Sequence, residues 1–282
     1  LLKRLRTFGL LKRFARYLEY DLCRNTREEV NIYTYRTPDY LLSTSQDYRK
    51  GYGGDQQSIW QATLGPKAVC FTTHPAAKES GTPNEWTGSG ILPRAIQYKN
   101  IVFCLYKLEK RLAINVPITK FFTHTWLPQD EFDEVLEKSD WIFARKVDAY
   151  LALRTNVPYR WGQADDDQSK NEIIADGNET IWICEMGRKD INGTFEEFVE
   201  SICQAEVTFD GLEVFYHSPT RGRLEFDWER PLMVEGEEIN NSNYPRYDNP
   251  YMKVDFPPEK IEMRFEGHHL YIDWENLVRR YH

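Results

Sequence analysis

Residues 45–61 concentrate the polar and aromatic side chains that proteins use to bind sugars. A glycine-rich turn leads into a strand, and the segment carries Asp55, Gln57, Trp60 and Gln61. Amide and carboxylate groups make the paired hydrogen bonds that sugar hydroxyls require, and an indole offers a flat stacking face. The segment therefore predicts a substrate-binding surface. The alternative is an ordinary β-hairpin whose polar side chains bond to the backbone of the turn.

A second group of candidate residues lies at a strand end and in the long loop expected at 75–93. His74 ends the strand, Asn84 and Trp86 lie in the loop, and Arg94 follows it. Histidine titrates near neutral pH, so His74 could act as a general acid or base. Arg94 could neutralise the carboxylate of an acidic substrate. The structural alternatives are a histidine that serves packing and an arginine that forms a salt bridge.

The sequence contains none of the common motifs for metals, nucleotides or a nucleophilic serine. There is no H-x-x-H, no H-E-x-x-H and no cysteine quartet, and G-x-S-x-G, the P-loop and the Rossmann glycine fingerprint are missing too. We therefore expect neither a metal site nor a cofactor. His124 and His217 are weaker candidates than His74. The adjacent His268 and His269 point to opposite faces of a strand, which is poor geometry for sharing a metal.

The composition limits the classes of function. With 44 acidic and 36 basic residues the net charge is −8, which argues against nucleic acid and anionic membranes as partners. No apolar segment is long enough to span a membrane. The five cysteines are scattered, mostly in apolar segments, which favours buried free thiols, with one disulfide as the alternative. Sequons at Asn178, Asn192 and Asn240 favour an extracellular or cell-surface location.

The spacing of apolar residues predicts a mainly β protein. Leucine and phenylalanine recur at helical steps in residues 1–24, so residues 1–29 are expected to form a helical segment that ends a preceding domain. Short strand-like runs separated by turn residues fill residues 30–282. This pattern is typical of a large antiparallel β-sandwich, a supersandwich. Other expected features are a helix at 128–138, a helix that begins at the capping box Thr194–Glu197, and a polar loop at 159–177.

Three segments resemble the C-terminal β-sandwich of heparinase II/III-like polysaccharide lyases and their uncharacterised relatives. They are WIFARKVDAYLAL at 141–153, TIWICEMG at 180–187 and FEEF at 195–198. In that family an aromatic-rich strand pair precedes a strand of this tryptophan-containing type. A helical (α/α) toroid lies upstream, which residues 1–24 would end. As an order of elements, the resemblance covers residues 30–275.

The resemblance implies an activity and roles for particular residues. Such lyases cleave acidic polysaccharides by β-elimination in a cleft between toroid and sandwich. A tyrosine or histidine removes the proton next to the uronate carboxylate, which polar side chains neutralise. His74 and Tyr48 would be the catalytic residues here. The substrate contacts would include Gln57, Asn84, Trp86 and Arg94. The sequence departs from the family at the entry to the sandwich, where the family has an H-x-H-x-D-like motif. Here Pro75 follows His74, and no second histidine follows at the spacing of that motif.

One function and one alternative follow. We expect the β-sandwich portion of a polysaccharide lyase-like protein, which binds a poly- or oligosaccharide together with an upstream helical domain of the same protein. The alternative is a non-catalytic carbohydrate-binding or scaffold module. A glycoside hydrolase accessory domain is a third class that fits the same residues.

Overall fold

The chain folds mainly into antiparallel β-sheets. A computed structural model describes residues 9–16, 18, 30–53, 57–75, 85–88, 90–109, 120–162, 169–242 and 244–282. The chain forms two compact units, Leu1–Ile239 and Asn240–His282. The expected mainly β fold is confirmed. The domain boundary expected after residue 29 falls on residues outside the described part and stays a prediction.

The first unit contains 18 described strands. They are β1 (Asn31–Arg36), β2 (Leu41–Gln46), β3 (Trp60–Thr63), β4 (Val69–Thr73), β5 (Arg94–Tyr98), β6 (Ile101–Lys107), β7 (Phe122–Trp126), β8 (Glu134–Lys138), β9 (Trp141–Lys146), β10 (Ala149–Thr155), β11 (Tyr159–Trp161), β12 (Glu172–Asp176), β13 (Glu179–Arg188), β14 (Val207–Asp210), β15 (Glu213–Ser218), β16 (Gly222–Phe226), β17 (Met233–Val234) and β18 (Glu237–Glu238). The described helices are α1 (Gly9–Arg16), α2 (Lys189–Asn192) and α3 (Phe195–Cys203), with short 3₁₀ turns at Gln129–Glu131 and Ser169–Asn171.

Three sheets make up the first unit. The seven-stranded sheet has the order β1-β2-β3-β4-β7-β12-β11, the central sheet β5-β6-β13-β10-β9-β8, and the third sheet β14-β15-β16-β17-β18. The central sheet is apolar on both faces. One face packs on the seven-stranded sheet through residues such as Cys104, Leu151 and Trp182. The other face packs on α3 and the third sheet through residues such as Phe103 and Phe143.

Double burial explains the sequences of the central strands. In β6 six consecutive residues are buried, and in β13 eight are. Strands covered on both faces lose the alternation of apolar and polar residues that half-exposed strands show. Each fully buried large apolar side chain contributes about 1.5–3 kcal/mol of transfer free energy. The two cores therefore supply the main stabilisation of this unit.

Polar pairs join the layers at the β2–β5 edge. The backbone N–H of Gln97 donates to Gln46 Oε1 at 2.8 Å, and Gln46 Nε2 donates back to Gln97 O at 3.2 Å. Thr44 Oγ1 donates to Gln97 Oε1 at 2.7 Å. Because these groups are buried, each needs a partner, and pairing across the layers meets that need.

Helix α3 confirms one local prediction, and two others were wrong. The side chain of Thr194 accepts from Glu197 N, and Glu197 completes the capping box. Residues 128–138, expected to be helical, form a 3₁₀ turn followed by β8, which pairs with β9. Val135 and Leu136 pack against opposite cores, so tertiary pairing overrides the local helix signal.

The polar loop expected at 159–177 also contains two strands, β11 and β12. They pair with each other, and β12 also pairs with β7. Ile173 and Ala175 enter the core between the first two sheets. Burial of these apolar residues outweighs the polar character of the remainder of the segment.

The described cysteines are free thiols, and most of them are buried, as expected from the sequence. Cys70, Cys104 and Cys184 are buried and free, and Cys203 is free and half-buried. Cys23 lies outside the described residues. No helix in the described ranges has the length and apolar character needed to cross a membrane.

The second unit is a single antiparallel meander. Its strands are β19 (Tyr247–Asn249), β20 (Met252–Val254), β21 (Lys260–Phe265), β22 (His268–Asp273) and β23 (Val278–Tyr281). They pair in sequence order. One face carries mainly apolar residues and the opposite face is polar, as the two-residue period of strands requires.

A buried carboxylate gives the fold a testable pH dependence. Glu185 has no exposed surface and accepts hydrogen bonds from Tyr216 Oη, Thr220 Oγ1 and Ser218 Oγ at 2.5, 2.7 and 3.2 Å. Burial raises its pKa above 4.5, while the three hydroxyl donors and Arg221 act to lower it. The folded state therefore holds this proton to a higher pH than the unfolded state does.

We expect the free energy of unfolding to decrease as the pH rises above 4.5. In that range the unfolded chain releases the Glu185 proton while the folded chain still holds it, so rising pH favours unfolding. Urea titrations at several pH values should show this slope in the wild type and a flatter dependence in Glu185→Gln. Glu237→Gln, at an exposed position, is the control and should keep the wild-type slope. An identical pH dependence in wild type and Glu185→Gln would contradict the prediction.

Candidate functional site

Two of the predicted site residues lie inside the sandwich. Trp60 is 2 % exposed, and its Nε1 donates to Thr72 Oγ1 at 2.8 Å. Thr72 Oγ1 in turn lies 3.1 Å from Tyr106 Oη. Tyr48 is 7 % exposed and belongs to the same core. These two aromatic side chains are structural in this conformation and offer no face to a sugar.

Arg94 joins the layers of the sandwich. Its guanidinium donates to both carboxylate oxygens of Asp47, at 2.9 and 3.0 Å. Nη1 donates to the carbonyls of Asp227 and Arg230, both at 2.7 Å. The group also lies over the ring of Phe226, 4.7 Å from its centre. Arg94 is 3 % exposed, and these bonds occupy its guanidinium. It therefore forms the structural salt bridge that was the alternative to a substrate contact.

His74 is also fixed by hydrogen bonds. Its Nδ1 accepts the backbone N–H of Ile91 at 2.9 Å, and its Nε2 lies 3.0 Å from the carbonyl of Lys120. A carbonyl only accepts, so these partners select the neutral tautomer with the proton on Nε2. Burial lowers the pKa of His74 to about 4. Gly90 is required here because a Cβ would lie 2.4 Å from Nδ1.

The remaining predicted site residues are Gln61, Gln57, Asp55 and Asn84. Gln61 is half-buried, and its Nε2 donates to Thr63 Oγ1 at 3.0 Å. Gln57 lies beside the turn at 85–88, where a Cβ on Gly88 would meet the Gln57 carbonyl. The Oε1 of Gln57 is buried and has no hydrogen-bond partner within the described ranges. Asp55 and Asn84 lie outside the described residues.

A cluster centred on His124 lies on the outer face of the seven-stranded sheet. Thr73 and His124 are direct partners in the β4–β7 register, and Glu172 is a diagonal neighbour on β12. Strand alternation places these three on the face opposite the core residues Thr123 and Thr125. Because the sheet order brings β4, β7 and β12 together, residues distant in sequence meet here.

The hydrogen bonds of His124 provide a partner for either protonation state. Nδ1 lies 2.6 Å from Glu172 Oε1, and because a carboxylate only accepts, Nδ1 carries a proton. Nε2 lies 2.7 Å from Thr73 Oγ1 and 3.1 Å from the carbonyl of Glu85. Thr73 can donate to a neutral ring, and the carbonyl can accept from a protonated one. This acid–imidazole–hydroxyl order is the one used to activate hydroxyl groups, although here His124 has no exposed surface.

Trp86 covers the imidazole. The two rings stack with centroids 3.9 Å apart and an angle of 10° between their planes. Phe71 and Trp126 meet the indole edge-on at 6.0 and 5.2 Å. Trp86 itself is half-buried, so part of the indole stays exposed while its position is fixed by three rings. Of the aromatic candidates Tyr48, Trp60 and Trp86, only Trp86 is not buried.

The charged residues around this cluster include a set of donors that suits a divalent cation. One donor atom from each of Glu85, His124 and Glu172 lies within 4.8 Å of the others. Lys120 Nζ lies 3.8 Å from Glu85 Oε1 and supplies positive charge to the same group. Imidazole and carboxylate oxygens are ligands that zinc accepts. The three residues meet the distance requirement for a metal site, but hydrogen bonds and the Lys120 ion pair already occupy their donor atoms.

Several residues of the cluster were not singled out from the sequence. Glu172 and Lys120 carried no motif, and His124 was ranked below His74. Their proximity depends on the pairing of β7 with both β4 and β12, which sequence spacing does not reveal. The available signal was the alternation in FFTHTW at 121–126, which places Phe122, His124 and Trp126 on one face.

Comparison with known proteins adds no relative at the level of sequence. No protein-family model matches this chain, and no curated protein matches it. The resemblance to polysaccharide lyases therefore stays a prediction.

Because His74 is buried in its neutral form, we expect the folded protein to lose stability in acid. As the pH falls below 6.5 the unfolded chain takes up a proton at this histidine, but the folded chain does not until about 4. Over that interval the wild type should lose stability on the order of 3 kcal/mol, since one pKa unit corresponds to about 1.4 kcal/mol. Urea titrations should show a shallower loss for His74→Gln. His217→Gln, at an exposed position, should retain the wild-type loss, and a His74→Gln curve parallel to the wild type would refute the assignment.

Arg94 provides a second stability test. Arg94→Ala would leave Asp47 and the carbonyls of Asp227 and Arg230 without their donor, so we expect a loss of about 3 kcal/mol of unfolding free energy. Arg160→Ala, whose exposed partner is Asp176 at 3.5 Å, should cost less than about 1 kcal/mol. Equal effects in chemical denaturation would show that Arg94 does not hold the layers together.

Proposed function

We propose that this chain is the β-sandwich portion of a polysaccharide lyase-like protein, and that polysaccharide binds on the outer face of the seven-stranded sheet beside Trp86. The observation that carries the proposal is the stacking of the half-exposed Trp86 on His124 at 3.9 Å. An indole that is already held in place loses little freedom when a sugar ring stacks on it. Rigid aromatic faces of this kind suit the apolar faces of sugars.

The neighbouring groups supply the polar contacts that a saccharide needs. Glu172 offers an acceptor at 14 % side-chain exposure and Lys120 a cationic donor at 13 %, whereas Glu85 is buried behind them. The same sheet face continues through hydroxyl and amide side chains on the neighbouring strands, namely Thr34, Ser43, Gln61 and Thr63. Adjacent donors and acceptors match the alternating hydroxyl groups of a sugar. Such a face supports an extended carbohydrate ligand.

Elimination would require a base that reaches the substrate. The base takes the proton from the carbon next to the uronate carboxylate, and the freed electron pair forms a carbon–carbon double bond. The glycosidic C–O bond then breaks, and the leaving oxygen receives a proton. Both nitrogens of His74 are engaged and Tyr48 is buried. We therefore assign binding to the sandwich and expect the upstream helical domain to supply the base.

The burial of His74 and Tyr48 also favours a second candidate, a non-catalytic carbohydrate-binding module. In that case the Trp86 surface binds glycan without turnover. The two candidates share the binding face and differ in the product, because elimination creates an unsaturated sugar that absorbs ultraviolet light.

The binding face is tested by substitution of Trp86. We expect Trp86→Ala to weaken binding of polygalacturonate roughly tenfold, since a stacking contact is worth about 1 kcal/mol beyond the area that it buries. Calorimetric titration measures the affinity, with dextran as a neutral comparison polymer. Trp274→Ala is the matched control because Trp274 is 56 % exposed and belongs to the second unit. Undiminished binding by Trp86→Ala would remove this face from the proposal.

Ultraviolet absorbance then separates the two candidates. A chain that includes the expected helical domain should generate the unsaturated product from a uronate polymer, and Trp86→Ala should reduce the rate. Binding without absorbance change in such a chain would favour the non-catalytic module.

A further inference from the structure

An open pocket lies in the first unit where strand β10 ends. Its volume is about 420 Å³. Its lining includes Asp140, Arg154, Thr155, Asn156, Tyr159 and Phe209. None of these residues belongs to the Trp86 surface. A volume in this range suits one small ligand, since ligand pockets begin at about 300 Å³.

The guanidinium of Arg154 forms one side of the pocket. It lies over the rings of Trp141 and Phe209, at 5.6 and 5.7 Å from their centres. Its ion-pair partner, Asp140, is 3.6 Å away, beyond good hydrogen-bond distance, and the Asp140 side chain is 83 % exposed. Burial lowers the pKa of Arg154. The charge is thus oriented by aromatic rings and only loosely paired.

One buried polar atom of the Arg154 side chain has no partner. It is Nε, which has no hydrogen-bond partner within the described ranges. Thr155 Oγ1 is likewise without a partner there, but alternation along β10 turns that side chain to the face opposite Arg154. Native proteins rarely leave buried donors and acceptors unpaired, so each such atom calls for an explanation. Asn156 Oδ1 accepts the N–H of Ile181 at 2.7 Å, which fixes the amide and leaves its Nδ2 for a ligand.

We propose that this pocket binds a neutral sugar residue, held by Arg154, Asn156 and Asp140 against the ring of Phe209. A sugar presents hydroxyl groups that donate and accept, and the pocket offers a guanidinium and an amide as donors beside a carboxylate as acceptor. An anion would meet the carboxylate of Asp140, and Glu137, which accepts from the hydroxyl of the lining residue Tyr159 at 2.7 Å, adds negative charge behind it. A cation would meet Arg154. The mixed polar groups and the aromatic wall together favour an uncharged, hydroxyl-rich ring.

This inference does not depend on the Trp86 surface, so the two are separable. The probes are methyl glycosides of glucose, galactose and mannose, with methyl glucuronide as the charged comparison. Saturation-transfer NMR detects binding, and titration gives the affinity. At this site, measured as the part of the binding that Asp140→Asn removes, we expect at least one neutral glycoside to bind and methyl glucuronide to bind more weakly. Trp274→Ala, in the second unit, should leave both results unchanged.

Two substitutions locate the site. Asp140→Asn and Arg154→Gln should each lower the affinity roughly tenfold, the usual effect of losing a hydrogen bond to a charged group. Asp140→Asn suits the turn because Asp140 has φ +64°, a conformation that asparagine tolerates. Asp176→Asn is the matched control, since Asp176 is also exposed and ion-paired to an arginine, Arg160, at 3.5 Å.

The outcomes that overturn the proposal are specific. Failure of every neutral glycoside to bind would do so, as would tighter binding of methyl glucuronide than of its neutral counterpart. Binding that survives Asp140→Asn at full affinity would place the sugar elsewhere. If Arg154→Gln lowers the melting temperature too far to measure binding, Asp140→Asn alone decides, because its side chain lies at the surface.

Discussion

The architecture of the first unit depends on covering both faces of the central sheet. Its strands carry apolar residues on each side, so one layer of cover is not enough. The seven-stranded sheet covers one face, while α3 and the third sheet cover the other. Trp182 and Phe143 are fully or almost fully buried on opposite faces, and exposure of either face would lose the transfer free energy of a whole core. The order of layers follows from that requirement.

Closing three layers creates a second constraint, because polar groups at the contacts between layers are buried as well. Arg94 satisfies Asp47 and two carbonyls of the chain after β16, and Glu185 takes three hydroxyl donors from the β15–β16 hairpin. The Gln46–Gln97 pair performs the same task at the sheet edge. Such pairs contribute register and specificity more than stability, since their desolvation offsets much of their attraction. Several residues that resemble a binding set in the sequence are therefore occupied by the fold.

Periodicity was enough to predict the fold class, because period-two patterns and turn residues mark strands regardless of their partners. It failed at 128–138, where acidic residues after a proline imitate a helix start, and at 159–177, where two short strands lie in a polar segment. The candidate site was predicted less well. Trp86 was identified from its type, but His124 and Glu172 are 48 residues apart and meet through strand order. Strand order is set by the packing of whole layers, which local spacing does not encode.

Where ligands can bind follows from the same packing. In the described part of the first unit, the faces turned toward the two cores are taken up by packing, so chemistry is left to outward faces and strand ends. The His124 cluster occupies an outward face of the seven-stranded sheet, and the Arg154 pocket occupies the end of β10. His74 and Tyr48 have the residue types of catalytic groups, but both are buried. They were selected from the sequence because residue type is visible there and burial is not. Accessibility, and not composition, then separates Trp86 from the equally aromatic Trp60, whose indole N–H is already bonded inside the core.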